Sequence, residues 1–305
     1  MAKLQTKVKN ALDEARILVL GTQVLLGFQY RAFFEKGFDK LPPADRFCEL
    51  AGLLALLVSV GALFLPASRH RIVEEGNDSE AFHKFTMAVM RVSLAPFAVG
   101  LALDMGVAGD RVLGAWGGAA CAAFTLVAAV ALWYGHFAHR DRKGQREPEE
   151  KMEKTPLEHR IVQVLTEARV VLPGAQALLG FQLAMVLMEP FAELPFSAKV
   201  VHIGALGCIA LATIVLMAPA AYHRIVERGE DTERFHTFAS RMVLLALALL
   251  APGFAGDFYV VLVRADLRGV ALPSSVALLA VFYGAWFGAM LLLRRPQRSG
   301  RLLLR

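Results

Sequence analysis

The sequence predicts an all-α polytopic membrane protein with about eight transmembrane helices in two parallel four-helix repeats. The 305-residue chain is 56% hydrophobic with a mean hydropathy of +0.48, more apolar than an ordinary soluble domain. Its apolar residues form blocks of roughly 17 to 23, the length at which a helix crosses a hydrocarbon core of about 30 Å. The whole plan then recurs at a constant offset of 153 residues.

A polar segment that occurs twice shows the duplication most clearly. The first hinge, residues 70–85, matches the second hinge, residues 223–238, at 11 of 16 positions, where chance would give roughly one. We therefore predict a first membrane repeat (1–135), a charged linker (136–160) and a second membrane repeat with a basic tail (161–305).

The apolar blocks define the predicted helices in order. A short amphipathic segment precedes the first block, and we expect no cleavable signal peptide. Pro42, Pro66 and Gly106 lie where three of the blocks end, as turn-forming residues should. The predicted helices span 17–34, 47–65, 85–103, 112–134, 170–188, 198–217, 238–263 and 270–293.

The distribution of basic residues predicts the orientation. Segments on the side of the chain termini hold 22 Lys and Arg residues, and the opposite loops hold 8. The positive-inside rule then places both termini, the linker and both hinges in the cytoplasm, with the chain in an inner (cytoplasmic) membrane. Because each repeat enters and leaves on one side, the repeats run parallel.

Composition and motifs exclude several classes. The net charge of +6 arises between apolar blocks without aromatic interleaving, so no nucleic-acid partner is expected. Cys48, Cys121 and Cys208 lie in apolar surroundings, which favours buried thiols over disulfides or structural zinc. No phosphate loop or nucleophile motif is present, so the sequence indicates neither a familiar enzyme nor a cofactor.

The hinges carry the densest chemistry, and two interpretations compete. His70 and Glu74 are four residues apart, and Glu80 and His83 are three apart, a spacing used by metal ligands on helices. Capping is the simpler interpretation: Asp78 or Ser79 would cap the next helix. In the second hinge Asp231 or Thr232 takes that place. The weak metal-ligand candidates are His70, Glu74, Glu80, His83, His223, Glu227, Glu233 and His236. A pH-sensing histidine is a third possibility.

Charged pairs recur at both ends of the predicted helices. Glu14 and Arg16, repeated as Glu167 and Arg169, lie at the inner membrane boundary. There we expect an ion network with Arg71, or with Arg224 in the second copy. Within the first copy it would join Glu14, Arg71, Glu74 and His83. At the outer ends we expect Asp104 to pair with Arg111 and Asp257 with Arg264, or these acids to admit a proton or cation.

Four glutamines interrupt the apolar blocks: Gln23, Gln29, Gln176 and Gln182. Amides inside a span can bond neighbouring helices, or they can line a polar pathway. Two positions break the symmetry of the repeat, since Glu49 aligns with His202 and Arg91 with Leu244.

The segments ARVVLPGAQALLGFQ (168–182) and APAAYHR (218–224) resemble a family of uncharacterised small bacterial membrane proteins with four spanning helices. Some members carry the label sodium:proton antiporter. The first copy fits less closely, since Arg69 stands where the motif has tyrosine and Leu20 where it has proline. The resemblance implies that this chain is a fused pair of that unit.

Three functions follow as hypotheses. The first is a transporter or channel for protons or small cations, although the sequence places no carboxylate at mid-span, where coupled transporters bind ions. The second is a non-transporting scaffold that docks a protein partner, or another copy of the chain, through its cytoplasmic charges. The third is a metal-dependent membrane enzyme at the hinges.

Overall fold

The computed structural model describes residues 2–134, 155–228 and 230–294, and these form only helices and turns. The first repeat contains α1 (Ala2–Ala32), a 3₁₀ turn (Phe38–Lys40), α2 (Pro43–Leu63), α3 (Leu65–Ile72) and a helical segment, Glu80–Tyr134. The second contains α6 (Leu157–Met185), α7 (Glu189–Ala192), α8 (Phe196–Ile225), α9 (Glu233–Arg264), α10 (Arg268–Tyr283), a π turn (Gly284–Gly288) and α11 (Ala289–Leu293).

The segment Glu80–Tyr134 is a helical hairpin. Gly114, with a φ of +75°, divides it into α4 (80–113) and α5 (115–134). The two arms run antiparallel, since the Tyr134 hydroxyl donates a 2.6 Å hydrogen bond to the carbonyl oxygen of Arg91. They also approach closely: a Cβ on Gly118 would lie 2.7 Å from the carbonyl oxygen of Gly106.

This hairpin corrects the predicted end of the third helix. The glycines around residues 106–109 suggested a loop, but they lie inside α4, where their small size lets α5 pack. The turn needs only Gly114, whose left-handed backbone other residues rarely adopt. As a result, Asp104 lies within a helix rather than at its end.

The connector between the repeats is only partly described. Helix α6 begins at Leu157, so the last residues of the predicted 136–160 linker are helical. Residues 135–154 and the basic tail from residue 295 onward lie outside the described residues.

The repeats interlock instead of standing as separate bundles. Helix α1 lies along α6, with the rings of Phe28 and Phe181 4.6 Å apart. From the other end of the chain, Trp286 donates its indole N–H to the Gly61 carbonyl oxygen at 2.7 Å. Ser68 donates its hydroxyl to the Trp286 carbonyl oxygen at 2.5 Å. One apolar core therefore spans both repeats.

The fourth helix of each repeat takes a different place. In the second repeat Phe282 packs over Gly61 and stacks on Trp286 at 4.7 Å. The first repeat has Ala129 where the second has Phe282, so α5 lacks this large side chain. Helix α5 stays at the periphery, where Trp116 is 90% exposed.

Contacts between distant residues define the two ends of the molecule. At the hinge end, Arg160 reaches Glu75 and Glu233, and Arg294 also binds Glu75. At the far end, Arg264 binds Asp39 at 2.6 Å, and Lys36 binds Glu189 at 2.9 Å. Both repeats start and finish at the hinge end, so they run in the same sense.

Six described helices are long and apolar enough to cross a membrane by length and composition. They are Pro43–Ile72, Glu80–Tyr134, Leu157–Met185, Phe196–Ile225, Glu233–Arg264 and Arg268–Leu293. The hairpin counts once in this set, and α1 is not part of it.

Candidate functional site

A buried ion cluster joins the repeats at the hinge end. It consists of His70, Arg71, Glu167 and His236, each at most 6% exposed, and we term it the inter-repeat cluster. Arg71 donates to both carboxylate oxygens of Glu167, from Nε at 2.6 Å and from Nη2 at 2.7 Å. His70 Nδ1 contacts the same carboxylate. A two-pronged arginine–carboxylate contact of this kind is strong and directional.

Both hinges and α6 position this cluster. His70 and Arg71 occupy the last turn of α3, and the His70 ring stacks on Phe82 at 4.3 Å. Arg71 Nη1 lies 3.2 Å from His236 Nε2, in the second hinge. A Cβ on Gly76 would come within 2.7 Å of that imidazole nitrogen, so glycine is needed for this approach.

The predicted ion network within the first copy is wrong, because Arg71 does not bind Glu14. Glu14 is exposed, and Arg71 binds Glu167, the residue of the other copy that aligns with Glu14. Glu74 instead contacts Arg69 at 3.3 Å and accepts from the Ser79 hydroxyl at 2.9 Å. His83 Nδ1 has no hydrogen-bond partner among the described residues.

The second hinge has the same motif in a different environment. Arg224 is exposed, as are Arg16 and Arg169. His223 Nε2 lies 3.5 Å from Asp231 Oδ1, whereas its counterpart His70 contacts Glu167. The duplication therefore produces one closed cluster and one open copy of the same basic pair.

The capping interpretation of the hinges is confirmed. The Ser79 hydroxyl accepts from Phe82 N at 3.0 Å, and the Thr232 hydroxyl accepts from Phe235 N at 3.0 Å. Asp78 has another role, since its carboxylate accepts from Gln163 Nε2 at 2.6 Å. Burial raises the pKa of Asp78 above its usual value, against the opposing electrostatic effect of the His70 side chain.

The hinge candidates for metal binding are dispersed. Among the described residues no group of three His, Cys, Asp or Glu side chains is placed to hold a metal ion. Glu80 lies 3.7 Å from Lys84, and Glu233 binds Arg160 at 2.9 Å. Glu227 is half-buried.

A second buried site lies toward the far end of the second repeat. This second carboxyl cluster comprises Gln182, His202 and Asp257, all at most 1% exposed. Gln182 Nε2 donates to Asp257 Oδ2 at 2.5 Å. His202 Nε2 lies 3.2 Å from the Gln182 carbonyl oxygen, an atom that can only accept a hydrogen bond.

The imidazole geometry has a chemical consequence. If Nε2 of His202 carries the proton, Nδ1 of the neutral ring is an acceptor, and it faces Asp257 Oδ1 at 3.7 Å. Two acceptors in a buried site repel each other unless a proton or a cation lies between them. Asp257 Oδ1, His202 Nδ1 and Gln182 Oε1 each have no partner among the described residues.

The first repeat has a related polar cluster at the positions equivalent to Gln182, His202 and Asp257. This first carboxyl cluster comprises Gln29, Glu49 and Asp104. Gln29 Nε2 donates to Glu49 Oε2 at 3.0 Å, and the two carboxyl groups interact electrostatically. Two nearby carboxylates cannot both carry a charge cheaply, so this cluster also favours bound protons or a cation.

The predicted ion pairs of Asp104 with Arg111 and of Asp257 with Arg264 are wrong. Helices α4 and α9 continue past both aspartates, so seven residues separate each pair by about 10 Å along an axis. Arg264 binds Asp39, and this contact holds the pKa of Asp39 below its usual value. Arg111 is exposed and interacts electrostatically with Asp45.

The four glutamines divide by environment. Gln29 and Gln182 bind carboxyl groups, whereas Gln176 is exposed. Gln23 is fully buried against Gly174, and neither of its amide atoms has a partner among the described residues. The sequence showed Glu49 and His202 only as a difference between the two copies. The available signal for their role was that both copies carry an ionisable residue at this one apolar-block position.

Buried polar groups also follow α6 from one site to the other. Glu167, Gly174 and Gln182 lie on one side of this helix, and Gln23 of α1 packs on the middle position. Fifteen residues separate Glu167 from Gln182, about 22 Å along a helix. The inter-repeat cluster and the second carboxyl cluster are therefore linked through the interface of α1 and α6.

These features define an all-helical, internally duplicated protein whose apolar helices are compatible with a membrane and enclose ionisable clusters. The chain belongs to a family of unknown function, DUF6328, whose model matches residues 2–136 and again residues 149–290. Two successive matches confirm the duplication and the expectation of an uncharacterised family. The family description names no activity, so the antiporter label has no support from it. No curated protein and no solved structure matches the chain.

Proposed function

We propose that this chain is an integral protein of the bacterial inner membrane with eight spans in two parallel repeats. The six candidate spans become seven when the arms α4 and α5 are counted separately. Helix α1 is the eighth: its polar Gln23 and Gln29 lower its hydropathy, but both side chains are buried against other helices. Exposed apolar side chains on α5 and α8, such as Phe124 and Ile214, suit a lipid-facing surface.

The hinge end faces the cytoplasm in this proposal, because most Lys and Arg residues belong to the segments at that end. Single cysteines at Glu230 and Glu193, in a background without native cysteines, test the orientation. A membrane-impermeant thiol reagent added to whole cells should label Glu193→Cys and spare Glu230→Cys. The reverse pattern would overturn the orientation.

Within the membrane, the protein moves protons or small cations through its carboxyl clusters. The observation that carries this proposal is the buried Asp257–His202 pair, whose facing acceptor atoms call for a shared proton or a bound cation. Ionisable groups inside spans are expensive and usually functional. Asp104 and Asp257 lie about two turns inside their helices, so both carboxyl groups are embedded in the proposed spans, in the half of each span that lies toward the far end.

Purified protein in liposomes with an internal pH dye tests transport, under a pH gradient with and without Na⁺ or K⁺. We expect flux above that of empty liposomes, and loss of most of it in Asp257→Asn. Glu189→Gln, which removes an exposed acid from the same end, is the matched control and should retain the flux. Absence of flux under every gradient, or full flux in Asp257→Asn, would refute transport.

The competing hypotheses fare differently. A scaffold would dock its partner through cytoplasmic charges. In the first hinge, His70 and Arg71 are turned inward in the inter-repeat cluster, whereas Glu75 and Lys84 are exposed. A protein partner or a homo-oligomer stays a prediction, which one stoichiometric partner on purification would favour. The metal-enzyme hypothesis has no grouped ligands to support it among the described residues.

A further inference from the structure

A groove between α6 and α8 lies at the hinge end of the second repeat. It encloses about 460 Å³. Its basic lining consists of Arg169, His223 and Arg224, and its apolar lining includes Leu172, Leu216 and Met217. Positive charge therefore lies at the hinge-end rim, above a hydrocarbon wall.

The first repeat shows what this basic pair binds. His70 and Arg71 hold the carboxylate of Glu167 in the inter-repeat cluster. For their counterparts His223 and Arg224, the residue equivalent to Glu167 is Glu14, which is exposed. His223 Nε2 instead faces Asp231 of the same hinge at 3.5 Å, and Arg224 is exposed. His223 Nε2 is buried without a hydrogen-bond partner among the described residues. The arginine of this pair thus binds a buried carboxylate in the first copy and is exposed beside the groove in the second.

The position of the groove at the hinge end indicates the class of its ligand. Arg169 is two residues beyond Glu167 on α6 and so points to the opposite side of that helix. Next to Arg224, Ile225 is 77% exposed, which is unfavourable in water and favourable at a membrane interface. Basic pockets between spans on the cytoplasmic side bind anionic lipid headgroups.

We propose that this groove binds an anionic phospholipid. Its phosphate lies between Arg169 and Arg224 beside His223, and an acyl chain follows Leu172, Leu216 and Met217. The proposal rests on the membrane location given under the proposed function, but it does not require transport.

A neighbouring groove between α8 and α9 provides a control. It also contains two arginines, Arg234 and Arg241, but Glu233 shares its lining. An acid there weakens attraction for an anion. Removing either pair of arginines changes the net charge of the hinge end by the same amount, so a site effect can be separated from general electrostatics.

Native mass spectrometry of the full chain in neutral detergent tests the proposal, with phosphatidylglycerol and phosphatidylcholine as probes. The wild type should bind phosphatidylglycerol selectively. The double variant Arg169→Ala/Arg224→Ala should lose about tenfold or more in that affinity, and Arg234→Ala/Arg241→Ala should stay within about twofold. Circular dichroism checks that each variant keeps its helical content. If the double variant does not fold, Arg169→Gln and Arg224→Gln are tested singly, and each should weaken binding about threefold or more.

Equal losses in the two double variants, or no preference for the anionic lipid, would overturn the site. Millimolar inorganic phosphate that displaces the lipid completely would indicate a soluble anion instead and would also overturn it. Selective lipid binding by a protein that shows no flux in liposomes would leave this proposal standing and reject transport.

Discussion

At the scale of single residues, the inter-repeat cluster shows how one carboxylate can satisfy several buried donors. Glu167 accepts from Arg71 through two nitrogens and also contacts His70. A buried pair of this kind is a weak source of stability in itself, since desolvation offsets most of the attraction. Removing one partner is far more costly, because the other charge then stays buried and unpaired.

Glu167→Ala should therefore destabilise the protein strongly, by about 3–5 kcal/mol. Glu14→Ala removes the aligned but exposed acid and should change stability by no more than about 0.5 kcal/mol. Thermal unfolding of both variants in the same detergent measures the difference. Similar unfolding temperatures for the two would contradict the cluster.

The contact between Asp39 and Arg264 predicts a pH dependence at the far end. Because Arg264 lowers the pKa of Asp39, the pair stabilises the fold above the usual carboxyl pKa of about 4, and this contribution is lost as pH falls through the lowered value. Asp39 is half-exposed, so the effect is at most about 1 kcal/mol.

Asp39→Asn should accordingly lower the unfolding temperature slightly at pH 7, and the gap from the wild type should narrow steadily below about pH 4. A gap that widens on acidification would mean that Arg264 does not act on this carboxylate.

At the scale of elements, the hairpin of α4 and α5 depends on backbones that approach closely. Gly118 faces the carbonyl oxygen of Gly106, and a Cβ there would also lie 2.9 Å from the backbone nitrogen of Asp110. Main-chain atoms of this kind cannot rotate away as a side chain can. The arms would have to separate to admit even a methyl group.

Gly118→Ala should cost about 1–3 kcal/mol. Gly21→Ala is the matched control, because nothing lies within 4 Å of its ideal Cβ, and alanine in an open helical position is neutral or slightly stabilising. Unfolding in detergent compares the two. A stability of Gly118→Ala equal to that of Gly21→Ala would show that the arms are not packed as described.

At the scale of the whole molecule, the second repeat completes the first. Trp286 and Phe282 fill the space beside Gly61, α1 lies along α6, and the inter-repeat cluster seals the hinge end. The interface between the repeats therefore resembles a protein core rather than a contact between independent domains.

Residues 1–145 and 146–305, expressed together as two chains with a tag on the first only, should purify as one complex. The buried interface, not the connector, holds them together in this view. Recovery of the tagged half alone, from membranes that contain both, would contradict an interlocked fold. Adding Arg71→Ala should weaken the complex, since it leaves Glu167 buried without its main partner.

Much of this protein could be predicted from local features of the sequence. Hydropathy and the 153-residue offset sufficed for an all-helical, duplicated chain, and the Ser79 and Thr232 caps followed from neighbouring residues alone. Such features depend on composition and short-range spacing, which the chain carries without reference to its packing. The end of α4 was missed because glycine serves turns and close helix contacts equally well.

Only the tertiary structure decided which residues meet. The two hinges share 11 of 16 residues, yet Arg71 binds a glutamate 96 residues away while Arg224 stays exposed. The surroundings of the two hinges differ as well: Phe282 and Trp286 pack the last helix against Gly61 of the first repeat, whereas α5 has Ala129 at the position of Phe282 and lies at the periphery. Similar sequences acquire unequal environments when their neighbours differ, and for this reason the partner of Arg71 and the pairing of His202 with Asp257 could not be predicted from spacing along the chain.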